Sequence, residues 1–464
     1  MSLRLADATH GDPAGGRFGC YCRGRCSMLT RHQAMKRRHF LKSALVTVCS
    51  APAIARSVAA AREFTGPDTL ILSAPLTHSD WILKPGVPWG EPGVRHMLDA
   101  CKACGWSRVY WRVLDGGRSL YQSKLLRPQG KWDDDNFWEP KTDVGRQALQ
   151  RFTPNLTPEQ RAAVREKMKV YDYAHFDSLA AAVRYGHQIG LQIHVWVSIN
   201  EDDHGWGLQS EYSRKHPEYR WRHRDGRPYY SQLSFAFPQV RKYKLGILKE
   251  LLGHYPIDGL FLDWIRTGDV RDNPQTDTNG VADSGYERPL LEKFKARFHV
   301  DPREVPNGDE RWIHLRAGPQ TEFMRAVRRL ARSQKRPVPV AVMVGHPWHY
   351  RGLMDKIDGN LRGLLLDVST WAREGLMDAA VAAGYYRDGG NAEQAYRALK
   401  QETEGKVDVW SYAWVPQTVA DFQRDLALAR QLEAEQILFW EADYIDDGAQ
   451  APELKAMMSR HARW

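Results

Sequence analysis

The sequence has 464 residues, 42% of them hydrophobic and 26% charged, with 37 glycines and 25 prolines, which excludes a disordered or fibrous chain. Its net charge of +10 is concentrated at one end: residues 1–61 hold ten basic and two acidic side chains, a net +8, which leaves +2 for residues 62–464. A body so nearly balanced lacks the clustered basic footprint that phosphate backbones require, so no nucleic-acid partner is expected.

The first element is an address. Residues 35–61 read MKRRHFLKSALVTVCSAPAIARSVAAA, in which the twin arginines Arg37 and Arg38 precede Phe40, Leu41, a short apolar stretch and small residues ending at Ala59, Ala60 and Ala61. That order predicts a twin-arginine export signal, and with it the export machinery as a partner and a periplasmic or secreted location. The apolar stretch is too short to span a bilayer, and no later segment suits one, so no membrane span is expected in the mature chain. The predicted organisation is an N-terminal extension and signal over residues 1–61, then a single domain over 62–464. Four of the six cysteines fall in the first part, leaving Cys101 and Cys104 in a CKAC run at the end of an apolar helix. With no second CxxC to complete a zinc site, the pair reads as structural.

Within the domain, eight short apolar runs rich in β-branched and aromatic residues alternate with helical patterns. They are Thr69–Ala74, Ser107–Leu114, Leu191–Ser198, Ile257–Asp263, Val338–Val344, Met377–Tyr385, Val407–Ala413 and Glu435–Glu441. The link before the third is typical: Asp177 or Ser178 can cap a helix that ends at Gly190. For the sixth strand, Leu361–Ser369 competes; the later run is preferred because Ser369 or Thr370 can then cap a helix starting at WAREG. Eight such units predict an α/β fold of the (β/α)8 TIM-barrel type rather than an open doubly wound sheet, and no GxGxxG follows the first strand. Long loops over 116–140, 200–231 and 267–309 would gather at the C-terminal mouth, where such barrels build their sites.

The fourth strand closes the run YPIDGLFLDWIR and ends in Asp263, beside Trp264 and Arg266. A carboxylate at that position can attack or stabilise the oxocarbenium-like centre formed when a glycosidic bond breaks. The reaction needs a second carboxyl group to protonate the leaving oxygen. Glu441, which closes the eighth strand, is the first choice, with Asp443, Glu201, Asp202 and Asp203 as alternatives. All 17 tryptophans follow the signal, and Trp196, Trp264, Trp410 and Trp440 stand at strand ends or in predicted mouth loops, where indole faces can stack on pyranose rings. Arg112, His194, Asn200, Arg266, His346 and Tyr412 would serve sugar hydroxyls. The oxygen-rich loop RDNPQTDTNGVAD over 271–283 misses calcium-loop spacing, and no HExxH, HxH or GxSxG motif is present, so neither metal nor other cofactor is expected.

HVWVSIN (194–200), HPEYRWR (216–222), FAFPQVRKY (235–243), DGLFLDWIR (258–266) and RDNPQTDTNGVADSGYE (271–287), with VYWRVLDGGRSLYQSK (109–124), resemble the glycosyl hydrolase-like 10 family. The resemblance covers residues 70–390. It implies a TIM barrel that acts on carbohydrate, with Asp263 as the catalytic carboxylate. It does not imply xylanase activity, because xylanase barrels use glutamates on the fourth and seventh strands, where this chain has Asp263 and WSYAW (410–414); nor does a glutamate end the fifth strand, where related barrels put a proton donor and GHPWH (345–349) is found instead. The function expected is an exported glycoside hydrolase cutting a poly- or oligosaccharide through paired carboxylates; the alternative is a periplasmic barrel that binds a glycan without cleaving it.

Overall fold

A computed structural model describes residues 69–82, 84, 86–130, 157–200, 202, 210–263, 265, 284–344, 355–357, 360–362, 365–382, 389–440 and 452–464. The expected signal, the candidate calcium loop, and Glu441, Trp264, Arg266 and His346 lie outside them.

All eight predicted strands form, and they close into a parallel barrel. In chain order they are β1 (Ile71–Leu76), β2 (Arg108–Arg112), β3 (Gln192–Ser198), β4 (Gly259–Asp263), β5 (Val340–Met343), β6 (Ala379–Val381), β7 and β8 (Gln436–Trp440). The seventh runs in two pieces, Asp408–Val409 and Ser411–Trp414, separated at Trp410. The first piece pairs with β6 and the second with β8, while β8 pairs with β1 to complete the ring. Both faces of these strands are largely covered, which is why they read as mainly apolar runs; all five residues of β4 are buried. Each fully buried aliphatic side chain there contributes roughly 1.5–3 kcal/mol. Among the described residues no helix is long and apolar enough to cross a membrane.

Helices cover the outside of the ring. The one before β3 spans Ser178–Gln188; of its two possible caps Asp177 is used, its carboxylate accepting from Ala180 N at 2.9 Å, and Gly190 (φ 79°) ends the turn. The helix after the competing run is Val368–Arg373, capped by Asp367 rather than by Ser369 or Thr370. Asp367 accepts from Thr370 N at 3.1 Å, whereas both expected hydroxyls accept from the Arg373 guanidinium at 2.9 Å. Of the competing run, Leu361 and Arg362 belong to a short strand, Asn360–Arg362, paired antiparallel with Asp355–Ile357, whereas the later segment pairs parallel with β5 as the barrel strand. Cys101 and Cys104 are buried in the main core.

Two mouth loops are tied together by one buried carboxyl group. The loop after β3 carries a hairpin of Arg220–Arg222 and Pro228–Leu233, and the chain after β4 enters a helix, Arg288–Phe298, at Glu287. Glu287 is wholly buried; it accepts from Arg222 N at 3.1 Å, and its Oε2 has no hydrogen-bond partner among the described residues. Burial raises its pKa to about 7, against the pull of Arg316 and Arg222. A raised carboxyl favours the folded state in its neutral form, so its stabilisation is complete below about pH 4.5 and is lost as pH rises through 7. Between pH 4.5 and 8 the fold should lose about 3 kcal/mol that a Glu287→Gln variant keeps, as urea midpoints of the two proteins across that range would show.

Candidate functional site

Along β2, β3, β4 and β7 alternate side chains enter the barrel, and they stack in layers. The lower layer is a plug: the Tyr110 ring lies 4.5 Å from Phe261, 5.5 Å from His194 and 5.5 Å from Trp410, drawn from four different strands. Burial holds the His194 imidazole well below its ordinary pKa, so it is neutral. It fits only because Gly259 faces it across β4; a Cβ there would stand 2.1 Å from His194 Nδ1. His194 and Trp410, both expected to meet sugar, are therefore placed in the packed interior beneath the mouth.

One step toward the C-terminal end lies a second group, formed by Arg112, Trp196, Asp263, Tyr412 and Trp440. Register brings it together: Arg112 is opposite Trp196, and Ser198 is opposite Asp263. Asp263 is 0% exposed, and its Oδ2 accepts from the Trp196 indole N–H at 3.2 Å. The Arg112 guanidinium sits 4.9 Å from the Trp196 ring centre. Arg112 is itself held, donating to Asp115 Oδ1 at 3.2 Å and to Leu114 O at 3.0 Å. On the side of β8, Trp440 meets Trp196 at 5.4 Å and 65°, and Tyr412 lies 6.3 Å from Trp440. Trp440 is partly exposed, so the group opens outward along that ring. Asn200 is buried two residues past the end of β3.

Asp115 was not among the residues expected here. Its signal was the spacing RVLD: a basic strand end followed, three residues on, by an acid in a tight hairpin, Leu114–Asp115 against Arg118–Ser119. Asp202, an alternative for the second acid, is removed from that role by its partners. Its carboxylate accepts from Lys244 Nζ at 2.9 and 3.1 Å and from Ser210 Oγ at 2.7 Å, and both members of the ion pair are buried. Glu441, Asp443, Glu201 and Asp203 lie outside the described residues. Among the described residues no cluster of three His, Cys, Asp or Glu could hold a metal ion.

This arrangement can act on a developing positive charge. A carboxylate buried beside the Trp196 indole stands in a medium of lower dielectric than water, where its attraction for a cationic centre is several times stronger.

The sequence model of the family described as glycosyl hydrolase-like 10 matches residues 155–412, more than half of the chain. The chain belongs to the glycosyl hydrolase-like 10 family. No curated protein sequence matches it. Among solved structures, this glycosyl hydrolase-like 10 chain is similar to the catalytic domain of β-amylase from Paenibacillus polymyxa, with a TM-score of 0.52 at 8% identity over 85% of this chain and 100% of that one. That likeness shows the barrel fold. The PgaB (BpsB) glycoside hydrolase domain from Bordetella bronchiseptica matches at a TM-score of 0.49 and 13% identity, covering 86% of this chain and 100% of that domain. α-L-Fucosidase isoenzyme 2 from Paenibacillus thiaminolyticus matches at 0.47 and 11%, covering 85% of this chain; this chain spans only 48% of the fucosidase.

Proposed function

We propose that this glycosyl hydrolase-like 10 chain is an exported glycoside hydrolase that cleaves glycosidic bonds in a poly- or oligosaccharide. The observation that supports it most is the buried Asp263 carboxylate at the C-terminal end of β4, walled by Trp196, whose ring adjoins the partly exposed Trp440. Asp263 serves as nucleophile or as stabiliser of the oxocarbenium-like transition state, and the partly exposed Trp440 offers an aromatic face to a pyranose ring. Glu441 follows Trp440 directly in sequence and supplies the proton for the leaving oxygen. The test is the appearance of new reducing ends when the purified chain meets a panel of bacterial and plant glycans. Glycans that bind and stay intact would overturn the hydrolase reading in favour of a binding barrel.

Export is supported by Arg37 and Arg38 ahead of a short apolar stretch. Replacing both with lysine should leave the protein in the cytoplasm on cell fractionation; unchanged delivery to the periplasm would count against the twin-arginine route.

A further inference from the structure

We propose that Trp196 is a positioning residue, whose indole N–H holds the Asp263 carboxylate in place and whose own ring is clamped by Arg112. This rests on the reading of Asp263 as the working carboxylate, and it adds a residue that acts through Asp263 instead of on the sugar.

An indole on an inward strand position in a barrel normally serves as apolar filling, and the aromatic plug one layer down is that case. Trp196 differs in three observed ways. Its only polar atom, Nε1–H, points at Asp263 Oδ2 at 3.2 Å across adjacent strands. One flank carries a full positive charge, with Arg112 4.9 Å from the ring centre. The opposite side of the contact chain is anchored, because Arg112 cannot swing while it donates to both Asp115 and the Leu114 carbonyl. Trp440, tilted 65° at 5.4 Å, limits the remaining freedom of the ring. At 4% exposure, Trp196 has little surface left with which to stack on a ligand.

The order of support is therefore Leu114 and Asp115, then Arg112, then Trp196, then Asp263. Each link has a geometric consequence for the next. A hydrogen bond from a neutral donor to a carboxylate stabilises the ionised form and fixes which oxygen lone pair remains available. The cation over the indole strengthens this, because a positive charge held against the π face makes the N–H more acidic and a better donor. Catalysis that depends on a carboxylate placed to within about 0.5 Å benefits from such a supporting shell.

The experiment uses the full-length protein with 15N-labelled tryptophan and follows the indole N–H signals from low to neutral pH. One signal should titrate in the wild type, be missing from Trp196→Phe, and stop titrating in Asp263→Asn. Trp196→Phe keeps the ring and removes the donor; it should lower kcat by about ten- to a hundredfold with KM changed less than about twofold, and move the acid limb of the pH profile upward. Combined with Arg112→Met it should lose little more than it does alone, because both substitutions break one chain of support. Should Trp196→Phe fail to fold, Arg112→Lys provides the second reading, since it should displace the same indole signal. The proposal is overturned if no indole signal responds to Asp263→Asn, or if Trp196→Phe leaves both kcat and the acid limb unchanged. A wild type that cleaves no glycan while its indole signal still reports Asp263 would uphold the positioning role and sink the hydrolase reading alone.

Discussion

Asp263→Asn is expected to reduce glycan cleavage by about a thousandfold or more while leaving the barrel folded and glycan bound. The amide has the size and shape of the carboxylate, and its oxygen still accepts the Trp196 indole N–H that now meets Oδ2 at 3.2 Å. What disappears is one negative charge in a fully buried place. Removing a group that contacts the reacting centre costs on the order of 10²–10⁴ in kcat, and here the lost attraction acts in a fully buried place beside the Trp196 indole, which puts the effect toward the upper end. Binding should change only severalfold, because the Trp440 face proposed to stack on the sugar is untouched. Rates from reducing-end release, affinities from calorimetry and thermal melts of both proteins together decide the matter; cleavage surviving in the variant would show that another residue does the work.

The largest expected loss of stability belongs to the ion pair of Asp202 with Lys244. Lys244 lies on the helix Pro238–His254, and Asp202 lies just beyond Asn200 in the loop after β3, so the pair fastens a mouth loop to the outer ring. Both side chains are out of water: 2% of the lysine and 0% of the aspartate are exposed. Asp202→Ala would leave an ammonium group buried without its carboxylate, at a cost of about 3–5 kcal/mol. Asp202→Leu combined with Lys244→Met should recover most of that, since replacing both charges removes the desolvation penalty along with the attraction. Urea denaturation of the single and double variants measures the difference; equal stability of Asp202→Ala and wild type would mean that water reaches the lysine.

The strands were legible because most of their residues are buried on both faces and so are mainly apolar, and because the linking helices carry their own start and stop signals. The cap of the helix Val368–Arg373 differs from the expectation for a physical reason: several oxygen-bearing side chains stand in line, and the helix begins at Val368, ahead of WAREG, so Ser369 and Thr370 lie inside its first turn and Asp367 is the residue that precedes it. The break of β7 at Trp410 left no mark on the sequence, since it comes from one strand pairing with two neighbours at different heights. Depth within the barrel was the main thing hidden at the candidate site. His194 and Trp196 are two residues apart and face the same way, as are Trp410 and Tyr412, so alternation alone could not tell plug from mouth. Interstrand register decides that, and register is a property of the closed ring. Asp263 was legible as the last residue of an apolar strand, whereas Asp115 required knowing that Arg112 needed a counter-charge.

Closure of the ring by its two ends has a consequence for the order of events in making the protein. Ser73 on β1 donates to the carbonyl of Ile437 on β8, 364 residues later in the chain. At about 5–20 residues per second, synthesis of that interval takes roughly 20–70 s. Throughout that time β1 has no partner on one side, and its unpaired amides and carbonyls are open to another nascent chain. Sealing therefore waits for the last strand, and a protein built in this way folds late and depends on being shielded until its synthesis is nearly done.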